Sequence, residues 1–261
     1  MKKILFFFIL TLCIQILFAQ RSAFFVSENK LFYEGKTMFD DENYAGCTNK
    51  LKEFNKICSD IDLLKESTYL LIASDYRQGK KDVLYSLRDY LEENPETIHR
   101  DDIYFMISSC YFEQKDYSRS TLWFEQTNIN NLSKRDQEDY AYRMAFSSLQ
   151  KKKYDESYRL FRLLNENSEK YQEASIYYLA YIYYSKNEFN TAIKFFNQLK
   201  ENQEYKLESL FYITQINFAQ GHYTQTIKDG KELLATFPEN SRNAELNRII
   251  GISYVKADAA P

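Results

Sequence analysis

From residue 28 onward, apolar side chains recur at three- and four-residue steps, and short polar breaks interrupt them at regular intervals. A period near 3.6 predicts helices rather than strands, and brief breaks between helices predict antiparallel pairs. The clearest segment is YQEASIYYLAYIYYSKNEFNTAIKFFNQLKENQ, from Tyr171 to Gln203. There Leu179, Ala180 and Tyr183 share one helix, Phe189 follows the turn, and Ala192 and Phe196 lie on the next helix.

The same phase returns along the chain. A small-residue place on the first helix of each pair reads Gly35, Leu71, Ser108, Ala145, Ala180, Thr214 and Gly251, at steps of 36, 37, 37, 35, 34 and 37 residues. An aromatic after the turn reads Tyr44, Tyr117, Tyr154, Phe189 and Tyr223, and the small place on the second helix reads Cys47, Ser120, Ser157, Ala192 and Thr226. Pro95 and Pro238 stop second helices at the same point of the repeat. The second unit fits least well: Leu71 and Val83 stand where small side chains are wanted, and Lys80 replaces the turn aromatic. Small residues let the helices of a pair approach closely, while Tyr, Phe and Leu fill the gap to the next pair. No pair can bury its apolar face alone, so pairs must stack.

These residues and their register resemble the tetratricopeptide repeat family, whose pattern places Leu-Gly and then Tyr in the first helix, an Ala and a Phe in the second, and a late Pro. The likeness runs over nearly all of the chain beyond the N-terminal leader. It implies an all-α fold: a right-handed superhelical solenoid of antiparallel helix pairs, about six repeats plus the first helix of a seventh. The repeat domain is expected over 28–261, with units starting near 28, 64, 101, 138, 173, 207 and 244. Ile249, Ile250 and Ile252 make the last helix more apolar than a solubilising cap, which predicts that the chain is the N-terminal piece of a longer repeat protein.

In this family the first helices line a concave groove, so the resemblance also implies a site. Carried over residue by residue, the groove holds Phe32, Phe39, Phe105, Phe112, Tyr142, Phe146, Leu149, Tyr177, Tyr181, Tyr184, Phe211 and Phe218. Asp102, Ser109, Glu113, Gln150, Ser185 and Gln215 lie between the rings and supply hydrogen-bonding groups for an extended segment or a helix. Two alternatives stand beside this one. The rings pack between repeats and form the core, or the trough is filled by another part of the same chain. The double carboxylate clamp of the family's chaperone adaptors has no donor set here, since only Lys36 and Asn29 stand near one end.

The leader has its own chemistry. Lys2 and Lys3 precede an uncharged apolar run from Ile4 to Phe18, and Ala19 offers a small residue for cleavage. This predicts a secretory signal over 1–19, a mature start at Gln20 and a lead-in over 20–27. Leu17 is large for the place two before the cut, which keeps an uncleaved anchor as the alternative. Leu12 before Cys13 argues against lipidation of that cysteine. The expected location is therefore the periplasm or envelope of a Gram-negative-type bacterium.

Charge and composition narrow the function. With 34 basic against 37 acidic side chains, and Lys2 and Lys3 leaving with the leader, the mature chain is acidic and offers no basic stripe to a nucleic acid. The Lys151–Lys153 run falls in a turn, where a solvated cluster is the ordinary reading. Cys47, Cys58 and Cys110 form no metal or disulfide pattern with His99 and His222, and Cys47 and Cys110 read as buried filler. No phosphate loop, nucleophile elbow or His-Glu-x-x-His pattern occurs, so neither catalysis nor a cofactor is expected. Asp40–Asp41 and Asp101–Asp102 read as turn and capping residues, and His222 as an exposed turn residue.

The functional expectation is a non-catalytic scaffold that binds a protein or peptide partner along the aromatic groove. Tyr205 to Tyr254, with its FPENSRNAE connection, resembles repeats of the Tol-Pal-associated and outer-membrane-assembly proteins of the envelope, which implies association with such complexes. Alternatives are the sensory front end of a longer membrane-anchored signalling protein and an accessory glycan-capture protein using exposed Tyr and Trp123.

Overall fold

A computed structural model describes residues 29–258. The expected leader, the lead-in and Cys13 lie outside the described residues. Among those described the chain is helical, with no strand. The pairs are α1 (29–40) with α2 (Tyr44–Phe54), α3 (Ile61–Arg77) with α4 (Val83–Glu93), α5 (Arg100–Glu113) with α6 (Tyr117–Gln126), and α7 (Lys134–Gln150) with α8 (Tyr154–Asn167). They continue with α9 (Gln172–Ser185) and α10 (Phe189–Phe196), then α11 (Lys206–Ala219) and α12 (Tyr223–Thr236), and end on α13 (Asn243–Asp258). The chain divides into two compact units, with the boundary between Ile107 and Ser108 inside α5. The fold class is all-α, built of repeated antiparallel helix pairs.

Six first helices end in the same way. A residue in the left-handed region follows each: Glu42 (φ 59), Gly79 (φ 69), Lys115 (φ 59), Lys152 (φ 58), Asn187 (φ 60) and Gly221 (φ 78). Its N–H donates three residues back, as Lys152 does to the Leu149 carbonyl at 2.9 Å, and the next N–H donates five back, as Lys153 does to Ser148 at 2.9 Å. These are the two bonds of a Schellman turn, which satisfy helix carbonyls that would otherwise lack partners. The cap of the following helix α2 is Asn43, whose side chain accepts from the Gly46 N–H at 3.0 Å, rather than Asp40 or Asp41.

The turns also fix the register. Counted back from the left-handed residue, the small first-helix place holds Gly35, Ser108, Ala145, Ala180 and Thr214, all buried. In the second repeat the same count reaches Ile72 rather than Leu71, and the turn-aromatic place reaches Lys81 rather than Lys80. The hydrophobic pattern there slipped by one residue because α4 buries Val83, Leu87 and Tyr90, one place earlier than its counterparts. At Gly35 an added Cβ would lie 2.7 Å from Leu51 Cδ2, which shows how close the pair approaches.

Three second helices place a large ring at the same point of the core, Phe124, Phe161 and Phe196, all fully buried, while α2 has the buried Leu51 there and Phe54 one turn further on. α12 carries Gly230 at that place instead, and Ile250 of α13 fills the space, 2.7 Å from where a Cβ would stand. Beside these rings, Ser120 and Ser157 are buried with no hydrogen-bond partner for the hydroxyl among the described residues. Ala192 occupies the same place in α10 with no such burden. Ser120→Ala and Ser157→Ala should therefore each raise stability by about 1 kcal/mol, read as a higher urea midpoint at unchanged slope. A lower midpoint would mean that the hydroxyls are satisfied in solution.

Candidate functional site

The ring residues read from the sequence fall at three places of the first helix, and the structure treats each differently. At the entry place, ten residues before the left-handed turn residue, stand Phe32, Tyr69, Phe105, Tyr142, Tyr177 and Phe211. Here Phe105 is 1% exposed and Phe211 3% exposed, so neither ring is available as groove surface. Phe32 is likewise buried, and Tyr69, Tyr142, Tyr177 and Phe211 are covered. A planar group from the connection to the next repeat lies over the ring: His99 on Tyr69 at 3.5 Å, Tyr171 on Tyr142 at 4.4 Å, Tyr205 on Tyr177 at 5.1 Å, and the Arg242 guanidinium over Phe211 at 4.8 Å. The entry rings therefore hold repeats together, which is the packing alternative.

At the turn place, three residues before the left-handed one, Phe112, Tyr184 and Phe218 each meet the aromatic that follows the turn. The centroid distances are 5.8 Å to Tyr117, 6.1 Å to Phe189 and 6.2 Å to Tyr223. Phe39 and Tyr44 repeat the arrangement at 5.5 Å in the first unit. The chain in this way carries an aromatic clasp beside four of the six Schellman turns. Leu149 at this place is buried in the core with Phe161 and Leu164.

Phe146, Tyr181 and Gln215 remain, at the middle place of three successive first helices, and all three are half-buried. Phe146 packs edge-on against Phe112 at 5.6 Å and Tyr178 at 5.4 Å, and Tyr181 packs edge-on against Tyr212 at 5.6 Å. Gln215 is fixed from both sides: its carbonyl accepts from the Tyr184 hydroxyl at 2.9 Å, and its amide donates to Glu245 at 3.2 Å. The α7, α9 and α11 faces thus bring Phe146, Tyr181, Tyr184 and Gln215 into one band within the second unit. Of the polar residues expected between the rings, Ser109 is buried, Gln150 and Glu113 are exposed, and Ser185 is half-buried.

Tyr178 and Tyr212, absent from the sequence-derived set, belong to this band. Tyr178 stacks on the buried Phe161 at 4.9 Å, and Tyr212 on the buried Phe196 at 5.2 Å. Each follows an entry-place aromatic directly, so the doublets Tyr177-Tyr178 and Phe211-Tyr212 were the available signal. Burial pushes the phenols of Tyr142, Tyr177 and Tyr178 above their ordinary value and that of Tyr212 up to about 12. These rings stay neutral across the physiological range.

The cations along the band are held by neighbouring carboxylates. Arg143 Nη2 lies 3.2 Å from Glu113, and its guanidinium lies 5.4 Å from the Phe112 centroid. Arg242 donates to both oxygens of Glu208, at 2.7 Å from Nη2 and 3.2 Å from Nε, and Arg248 Nη2 lies 2.7 Å from Glu245. Lys170 reaches Asp139 at 2.5 Å.

In the first unit, Lys36 lies 3.9 Å from Glu66, and Glu66 also holds His99. His222 is exposed at the start of α12. Cys47 is buried as expected, with Ser74 Oγ donating to its sulfur at 3.4 Å. Cys110 is half-buried rather than fully buried, because its place on α5 falls at the edge of the packed face, and burial still raises its thiol to about 11. No group of three or more His, Cys, Asp or Glu is placed to hold a metal among the described residues. No helix among them is long and apolar enough to cross a membrane.

Comparison with known proteins agrees with the geometry. Residues 174–203 match the family model described as tetratricopeptide repeat, and the helix pairs on either side repeat the same antiparallel arrangement. Among solved structures it is similar to PilF of Pseudomonas aeruginosa, at 14% identity and a TM-score of 0.57, over 87% of this chain and 99% of that one. It is also similar to a tetratricopeptide repeat protein of Parabacteroides merdae, at 15% identity and a TM-score of 0.43, over 87% of this chain and 99% of that one. At such identities the likeness to PilF establishes a shared fold and no more. No curated protein sequence matches the chain.

Proposed function

We propose that the chain is a non-catalytic scaffold of the cell envelope that binds a protein or peptide partner along the first-helix face of its second unit. One observation carries the reading: after the entry and turn rings are assigned to packing, Phe146, Tyr181 and Gln215 still recur at the middle place of successive helices. There they are half-buried, Phe146 and Tyr181 are supported edge-on by Tyr178 and Tyr212, Gln215 is held by Tyr184 and Glu245, and among the described residues no planar group from a connection lies over them as over the entry rings. A row of aromatic and amide side chains on rigid helices supplies contact area at low ordering cost. The envelope location rests on the basic-apolar leader over 1–19 and the cleavage residue Ala19.

The test is cross-linked capture from envelope extracts with wild type and with Tyr181→Arg, chosen because Tyr181 lies outside the covered entry rings. The variant should keep its helical circular-dichroism signal and lose at least about tenfold of the captured partner, the scale of one well-placed contact. Equal capture would overturn the site. Export is checked separately by fractionation and N-terminal sequencing, with Gln20 as the expected first residue. Cytoplasmic protein that retains Met1 would overturn the location.

A further inference from the structure

We infer that α13 is a self-association surface: it lies antiparallel against α13 of a second copy, with Val255 of each chain seated over Gly251 of the other. The inference is independent of the first-helix band and starts from an uncovered place. At the small first-helix place Gly35, Ser108, Ala145, Ala180 and Thr214 are buried, and at Gly35 an added Cβ would stand 2.7 Å from Leu51 Cδ2 of the paired helix. Gly251 holds the same place on α13, yet it is exposed. Among the described residues, nothing beyond its own stretch of helix lies within 4 Å of where its Cβ would stand. Glycine in mid-helix costs stability relative to alanine, a cost with no return unless another helix approaches closely there. The side of α13 turned toward α11 and α12 is complete, with Leu246, Ile249, Ile250 and Ser253 buried. The opposite face exposes Ala244, Asn247, Gly251, Tyr254, Val255 and Asp258, with Val255 69% and Tyr254 41% exposed.

The covered pairs show what fits such a face. Their second helices present a small residue and, four positions on, a large one: Cys47 and Leu51, Ser157 and Phe161, Ala192 and Phe196, all buried. In the first pair the large residue, Leu51, fills the space over Gly35. α13 carries the same spacing on its exposed face, Gly251 and then Val255, so a second copy supplies a helix of the required shape. The fit is reciprocal, as a two-fold contact requires, because each chain offers both the space and the side chain that fills it. Charge agrees with this register. The axis falls level with Ser253, which sets Arg248 of one chain beside Asp258 of the other, twice across the axis. Arg248 donates to Glu245 through Nε and Nη2, leaving Nη1 for that second carboxylate. A helix of an unrelated protein would have to supply the spacing and the acid together, and α13 already has both.

The test is sedimentation equilibrium of the whole chain across the micromolar range, where a single helix pair, at the low end of stable interface areas, should hold a dimer. Gly251→Leu fills the space from within and should weaken association at least about tenfold. Its urea midpoint, measured at concentrations where the wild type is monomeric, should not fall, because the open face accommodates the side chain and leucine favours a helix more than glycine does. Arg248→Glu and Asp258→Lys should each associate about tenfold more weakly, since like charges then meet across the axis. An equimolar mixture of the two should recover the dimer, because each variant then faces the opposite charge. A wild type that stays monomeric throughout the range would overturn the inference, whether the face is left open or is covered by a following helix or by another protein. A dimer indifferent to Gly251→Leu would overturn it as well. So would charge variants that associate like the wild type, or a mixture that fails to recover the dimer.

Discussion

Phe161→Ala should cost about 3–5 kcal/mol, the largest single loss expected in the second unit. Phe161 is fully buried on α8, and it contacts rings of both neighbouring first helices: Tyr178 of α9 stacked at 4.9 Å and Tyr142 of α7 edge-on at 6.1 Å. Removing it takes away the transfer free energy of a benzyl group and leaves a cavity that helices on both sides cannot close together. It also removes the support under Tyr178, against which Phe146 packs. Urea unfolding followed by far-ultraviolet circular dichroism would show the shift. Because repeat proteins gain stability from each unit and its neighbours, the loss should appear as early melting of α7–α9. Leu163→Ala is the control: two residues along the same helix but 51% exposed, it should change stability by no more than about 0.5 kcal/mol. Comparable losses at the two positions would mean that Phe161 does not bridge the repeats.

The contrast between Phe161 and Leu163 also shows what the sequence made legible. Helical period and repeat phase identified the second-helix places that would be buried, because burial of one stripe is a local consequence of amphipathic spacing. The same logic could not sort the first helix. A first helix packs against helices on several sides, so aromatics occur nearly all round it, and Tyr177, Tyr178, Tyr181 and Tyr184 are equivalent by composition. Only their packing separates them. Tyr177 lies under Tyr205, Tyr184 closes a turn against Phe189, Tyr178 stacks on Phe161, and Tyr181 remains. The covering groups could not be read at all, since Tyr171, Tyr205 and Arg242 sit in connections whose geometry the repeat pattern does not specify. The second repeat departs from the sequence register by one residue for a related reason: Gly79 marks its turn, but the early start of α4 moves the hydrophobic phase away from it.

His99 is the covering group with consequences of its own, and its replacement carries the second large effect. Its ring lies parallel to Tyr69 at 3.5 Å and 4°, and its Nε2 lies 2.6 Å from Glu66 Oε2, so one side chain fastens the connection before α5 to α3 twice over. His99→Ala should cost about 2–4.5 kcal/mol, combining an aromatic stack of about 0.5–1.5 kcal/mol with a hydrogen bond to a charged group of about 1.5–3 kcal/mol. His99→Phe separates the two, because it keeps a ring over Tyr69, as Tyr171 covers Tyr142, and removes the donor. Glu66 gives the pH signature. Its carboxyl is held below the ordinary value, chiefly by the hydrogen bond from His99 and against the opposing effect of burial, with Lys36 adding a smaller pull. A carboxyl depressed in the folded state contributes stability that is fully present above its unfolded pKa, ~4.3, and is lost as pH falls through the folded value. The deficit of His99→Phe relative to wild type should therefore be largest near neutral pH. It should shrink once Glu66 is protonated below that window, while the deficit of His99→Ala retains the part due to the lost stack. Urea midpoints at about pH 7 and about pH 3 for the three proteins decide it. A His99→Phe deficit that is the same at both would show that the carboxylate contact contributes nothing and that His99 acts on Tyr69 through its ring alone.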